Sequence, residues 1–144
     1  MFRVLILAAL LAAAPLARAC GYCVEDKMAS VYDHAVVTAA LGKKHQVAFF
    51  HVEGALPPGE EGGRALERLA GAASGVDPGS ARASAGSASL SVAFDPRRTP
   101  VMKLQQEIER KLAARKLSLM LLQVMDRPAE FSPSVSAALK RKGL

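Results

Sequence analysis

Four consecutive residues, Cys20-Gly21-Tyr22-Cys23, are the part of this chain best suited to chemistry. Two thiols three positions apart can grip one metal ion or bond to each other. A Cys-x-x-Cys leading into a helix places its sulfurs near backbone N–H groups that no helical carbonyl occupies, which favours thiolates. Lys27 follows Cys23 by one helical turn and is expected on the same face, where its charge would add to that effect. Glu25 and Asp26 oppose it. Soft sulfur donors select Cu(I), or Zn when further ligands join them. Three readings therefore stand side by side: a soft-metal site on Cys20 and Cys23, a thiol–disulfide redox pair, and a plain structural disulfide in a non-catalytic adaptor.

What precedes the motif decides where that chemistry would operate. Met1-Phe2-Arg3 is a short positive start, followed by an apolar run of 13 residues from Val4 to Leu16. A bilayer-crossing helix needs about 20 apolar residues. Ala17-Arg18-Ala19 offers the alternating small residues that a signal peptidase accepts. Residues 1–19 are thus expected to be a cleaved signal peptide, leaving Cys20 as the N-terminus of a periplasmic or secreted protein. The new α-amine and the Cys20 thiolate could then chelate a metal together. An acylated Cys20 would instead follow a Leu-Ala-Gly type of junction, which Ala17-Arg18-Ala19 does not match. No other apolar run approaches membrane length, so the exported product is not expected to be an integral membrane protein.

The chain has 144 residues, 51% of them hydrophobic and 5% aromatic, with no Trp. That mixture suits one compact domain and excludes disordered, collagenous and disulfide-dense classes. The formal charge of +6 falls to +4 once Arg3 and Arg18 leave with the signal. It is unevenly spread: Cys20 to Pro96 is net −3 and Arg97 to Leu144 net +7. The basic half could steer the protein toward an acidic partner or anionic lipid head groups. It lacks interleaved aromatic residues, so nucleic acid is not an expected partner; a metal ion or a thiol-bearing partner protein is.

The elements that must position the thiols follow from hydrophobic periodicity. Val24 to Leu41 reads as one helix, closed by Gly42-Lys43-Lys44. Gln46 to Glu53 is apolar on both faces, as a central strand covered on two sides would be. Gly54 to Gly63 reads as a loop because of its Gly and Pro content, and Arg64 to Ser74 as a helix. A poor edge strand is expected between Ala81 and Ala85. Leu90, Val92 and Phe94 alternate with Ser89, Ser91 and Ala93, giving a strand with one buried face. Thr99 should cap a helix with Pro100 in its first position. Val101, Leu104, Ile108 and Leu112 define that helix, with Glu107 and Lys111 as an exposed pair. Leu119 to Met125 reads as a final strand.

Strand, helix, strand, strand, helix, strand is the order of an α+β, ferredoxin-like βαββαβ sandwich. It is preceded here by an N-terminal helix that could cover the sheet's second face. The expected division is 1–19 signal, 20–44 Cys-x-x-Cys and N-terminal helix, 45–126 ferredoxin-like domain, and 127–144 basic tail.

Leu90-Ser91-Val92-Ala93-Phe94-Asp95-Pro96, followed by Thr99 and a helix, resembles the third strand and second helix of the heavy-metal-associated domain of copper chaperones and metal-pumping ATPases. The element order from Gln46 to Met125 is similar to that family's. The resemblance implies the ferredoxin-like fold and a metal-binding role. That family carries its Cys-x-x-Cys in the loop after the first strand, here Gly54 to Gly63, which has no cysteine. No ligand carries over at that loop. Cys20-Gly21-Tyr22-Cys23 is also similar to the active site of periplasmic disulfide isomerases, which implies thiol–disulfide exchange. In that family the motif follows a strand, and the family's cis-proline strand has no counterpart: Thr99-Pro100 leads into residues that read as helix.

The remaining candidates read as structural. His34 lies about 16 Å past Cys23 along a helix, and His45 and His51 are roughly 20 Å apart on a strand. Only tertiary folding could bring His51 near the thiols. Met28, Met102, Met120 and Met125 fall mostly at apolar positions and are expected in the core. There is no Gly-x-Ser-x-Gly, His-Glu-x-x-His or phosphate loop, so the pattern favours a binding protein over an enzyme.

Overall fold

The computed structural model describes residues 23–128. The expected signal peptide, Cys20 and the basic segment Lys140-Arg141-Lys142 lie outside the described residues. Two short helices open this part, α1 (Val24–Ala29) and α2 (His34–Gly42). Then come β1 (Gln46–Glu53), α3 (Gly59–Gly71), β2 (Arg82–Ser84), β3 (Ser89–Phe94), α4 (Val101–Leu112), a 3-10 turn and β4 (Ser118–Met125). The four strands form one antiparallel sheet in the order β2-β3-β1-β4. That order, with one helix between β1 and β2 and another between β3 and β4, is the ferredoxin-like α+β sandwich.

Alternate residues of β1 serve two separate cores, as the pleat requires. Ala48, Phe50 and Val52 join Leu66, Leu90, Leu104, Ile108 and Leu112 beneath α3 and α4. Val47 and Phe49 face the other way, with Val31, Val37, Ala40 and Met125. The N-terminal helices therefore do cover the second face, and the apolar character of β1 on both sides is explained. They bury more of β3 than its alternation suggests. Ser89 and Ser91 lie on the face expected to be wet, yet they are 0% and 2% exposed. Ser91 Oγ donates to the Val31 carbonyl at 2.8 Å and Ser89 Oγ to the Ser87 carbonyl at 3.1 Å.

Where one helix was expected over Val24 to Leu41, the chain forms two. Asp33 leaves helical geometry (φ −117°, ψ 111°) and caps α2, accepting from the N–H of Ala35 at 2.9 Å and of Val36 at 3.2 Å. Arg82 on β2 grips the other carboxylate oxygen at 2.8 Å. The Val31 carbonyl is meanwhile taken by Ser91, so the break is held from both sides by the sheet.

Bonding of the Asp33 carboxylate by the Val36 N–H, then by the Arg82 guanidinium, holds its pKa below the ordinary 3.8. A carboxyl depressed in the folded state adds stability that is complete above its unfolded value and is lost as the pH falls through the folded one. Asp33→Ala should thus cost about 1 kcal/mol at neutral pH, the worth of a good cap. Urea titrations of both proteins should show this difference shrinking once the pH drops below about 3.8. A difference equal at neutral and acid pH would contradict the assignment.

Two further boundaries differ from the expectation. α3 begins at Gly59, so Glu60 and Glu61 occupy a first helical turn, where the positive helix end suits them. A Cβ on Gly62 would run into the Pro57 carbonyl, and one on Gly63 would lie 3.2 Å from the Ala83 carbonyl. The glycines that suggested a loop are what allow this helix to lie against the chain beside it. At α4 the residue before the helix is Pro100, and no side chain caps it. Glu107 pairs with Arg110 at 2.8 Å rather than with Lys111.

Both sheet edges are partly closed by helix side chains, which limits strand addition there. Glu67 of α3 accepts from the Ala83 N–H at 2.9 Å. On β4, Glu109 accepts from the Leu119 N–H at 2.8 Å and Gln105 donates to the Leu119 carbonyl at 2.8 Å.

Candidate dithiol site

Cys23 is the residue immediately ahead of α1, extended (φ −61°, ψ 151°) and exposed. Its carbonyl accepts the first helical hydrogen bond, from the Lys27 N–H at 3.2 Å. Cys20 lies outside the described residues, so the geometry between the two sulfurs does too. Glu25 and Asp26 occupy the first turn of α1, as expected.

No residue of the six in α1 is fully buried. Polar anchors fix the helix instead. Lys27 Nζ donates to the Ser87 carbonyl at 2.9 Å and lies 3.0 Å from His51 Nδ1. The Ser30 hydroxyl shares a 2.6 Å hydrogen bond with that of Ser87. Met28 adds apolar contact with the second core. Lys27 was expected to lean toward the thiols; its ammonium reaches the sheet instead. In doing so it ties the helix that follows Cys23 to His51 near the end of β1 and to the turn before β3.

His51 sits opposite Ser89 on β3 and Met120 on β4. It is the histidine that tertiary folding brings to the dithiol helix. No sequence signal marks this pairing, because Lys27 and His51 are 24 positions apart. The loop that follows β1, residues 54–58, begins at this same end of the sheet and contains neither Cys nor His.

The other histidines lie elsewhere. His34 is exposed at the start of α2, with Thr38 Oγ1 3.5 Å from its Nε2, in keeping with a locally bonded helix residue. His45 is held at the opposite end of β1, its Nδ1 2.7 Å from Asp77 and its Nε2 3.7 Å from Asp95. The guanidinium of Arg97, bonded to Asp95, keeps that carboxyl below its ordinary range, and His45 adds to the effect. Among the described residues no group of three or more His, Cys, Asp or Glu side chains is arranged to hold a metal ion.

The methionines divide. Met125 is buried and Met28 partly so, as expected of core residues. Met102 and Met120 are 60% and 47% exposed, which corrects the expectation for those two. On α4, Lys103, Arg110 and Lys111 all face solvent, a basic outer surface.

No protein-family model and no curated protein matches the chain. Among solved structures, the chain is similar to the N-terminal domain of a potential copper-translocating P-type ATPase from Bacillus subtilis, determined in solution in the Cu(I)-loaded state. The match spans 60% of this chain and 99% of that one, at 17% identity and a TM-score of 0.42. So distant a likeness bears no weight for the site, and the fold assignment stands on the strand order above. No helix among the described residues is long and apolar enough to cross a membrane.

Proposed function

We propose that this is an exported, periplasmic protein that holds a soft transition metal, Cu(I) foremost, between the thiolates of Cys20 and Cys23. The observation that carries the reading is the docking of α1. Lys27 and Ser30 fasten the helix to the sheet while Cys23 stays exposed at its start. A dithiol on a short anchored arm can take up an ion and present it to a partner.

The donor set favours Cu(I) over Zn. Two thiolates suit a soft monovalent ion, whereas a structural zinc site needs four ligands. The described residues near α1 supply no such set. Residues 1–19 act in this reading as the export signal, and the basic surface of α4 as the side offered to an acidic partner.

Anaerobic titration of the mature chain with Cu(I) tests the proposal, with one equivalent bound as the expected result. Unchanged affinity after joint Cys20→Ala and Cys23→Ala replacement would remove it. Thiol–disulfide exchange is the competing use of an exposed Cys23, and it would show as insulin reduction by the metal-free protein.

A further inference from the structure

We propose that His51 and Met120 form a second soft-metal site, which takes Cu(I) between an imidazole nitrogen and a thioether sulfur. The site stands on these two residues. Only its use, as a place beside the dithiol where the ion can rest in transit, depends on the reading given above.

His51 and Met120 are direct partners in the register of β1 and β4. The side chains of such a pair share one face of the sheet, with Cβ atoms about 4.5–5.5 Å apart. Both side chains are long enough for their ends to close on one ion across that gap. The face is the one where α1 and α2 pack over β1 and β3. Met120, on the edge strand beside them, is exposed. A thioether selects Cu(I) against harder ions, and imidazole is a copper ligand as well.

The imidazole is set up as a ligand. Its Nδ1 lies 2.9 Å from the Ala88 carbonyl. With the ring proton there, His51 donates to that carbonyl, an arrangement that orients most metal-bound histidines. The lone pair is then on Nε2. That atom makes no hydrogen bond among the described residues, and it is not shut away from solvent. Lys27 Nζ stands 3.0 Å from Nδ1 and bonds the Ser87 carbonyl. Its charge favours a monovalent ion over a divalent one. On the next rung of the same face Glu53 accepts from Ser118 at 3.2 Å, so a carboxylate lies beside the pair. Cys23 opens the helix that Lys27 ties to His51, which puts the dithiol at this end of the sheet. Two anionic thiolates attract Cu(I) more strongly than two neutral donors. The first equivalent therefore goes to the cysteines, and the pair takes a second, weaker one.

Anaerobic Cu(I) titration of the full exported chain carrying Cys20→Ser and Cys23→Ser, followed by NMR, reads the pair without the thiols. The His51 ring and Met120 methyl resonances should shift together and saturate at one equivalent. Those of His34 and Met102, both exposed, should stay in place. Met120→Leu keeps the apolar bulk at an exposed position, so the fold should hold. It should weaken this binding by about 10–100-fold, no less than a metal site loses with a partner that orients a ligand. His51→Gln should do the same. No shift at His51 and Met120, equal shifts at His34 and Met102, or unchanged affinity in Met120→Leu would each overturn the site. Tight binding by the thiol-containing chain is read separately. Its absence would remove the dithiol reading and leave the pair standing, and the reverse.

Discussion

Replacing Cys23 alone by Ser should weaken Cu(I) binding at least about 100-fold while leaving the fold as stable as before. Structural zinc sites release about 10–16 kcal/mol through four ligands, or about 3 kcal/mol for each, which is about two decades in affinity. A site with two thiolates gives each a larger share, so this figure is a lower bound. Stability should be little moved because Cys23 is exposed at the start of α1. Serine is itself a preferred residue at that position, so its hydroxyl should hold the helix at least as well. Competition with a chromogenic Cu(I) chelator measures the first effect and urea unfolding the second. His34→Ala and Met102→Ala serve as controls, since both residues are exposed and carry no proposed ligand role. A Cys23→Ser protein that binds as tightly as the parent would leave the dithiol without a metal role.

The sequence pattern anticipates those parts of the molecule whose residues interact locally. The strand alternation around Phe94, the apolar repeat from Val101 to Leu112 and the doubly apolar β1 all encode faces that the folded sheet uses. The break between α1 and α2 is different. Val31 fits a helical stripe well, and only the hydroxyl of Ser91, 60 positions away, removes its carbonyl from helical use. Asp33 is likewise an ordinary helix residue until Arg82 and two N–H groups claim it. Gly62 and Gly63 mislead for a related reason: composition records their flexibility, while the fold uses their missing side chains. The site divides in the same manner. Spacing alone marks Cys20 and Cys23, but the anchors of the helix, Lys27 with His51 and Ser30 with Ser87, are contacts across the fold. The cluster of His45, Asp77 and Asp95 had no signal at all, since Asp77 lies in a Gly- and Ser-rich stretch.

Two adjacent phenylalanines should separate the two layers of the molecule. Phe49 and Phe50 are both 0% exposed, yet neighbouring residues on a strand point to opposite faces. Truncating either to Ala should cost about 3–5 kcal/mol, the range for a large buried aromatic. That is a large fraction of the ~5–15 kcal/mol by which domains are stable. The consequences should differ in place. Phe50 packs among Leu66, Leu90, Leu104 and Ile108, the residues that hold α3 and α4 to the sheet. Its loss should lower exchange protection throughout the sheet and both of those helices. Phe49 packs with Val31, Val37, Ala40 and Met125. Its loss should strip protection from α1 and α2 first, as a sub-global opening that leaves the four-stranded unit closed. Cu(I) binding gives an independent reading of the same division. Cys20 and Cys23 are close in sequence and need no sheet to meet, so Phe49→Ala should keep its Cu(I) affinity within about tenfold even as the arm detaches. Equal loss of protection in every element for both variants would instead mean that the helical layer and the sandwich unfold as one cooperative body. The arm could not then move separately from the sheet, and the dithiol would have to work from a fixed position.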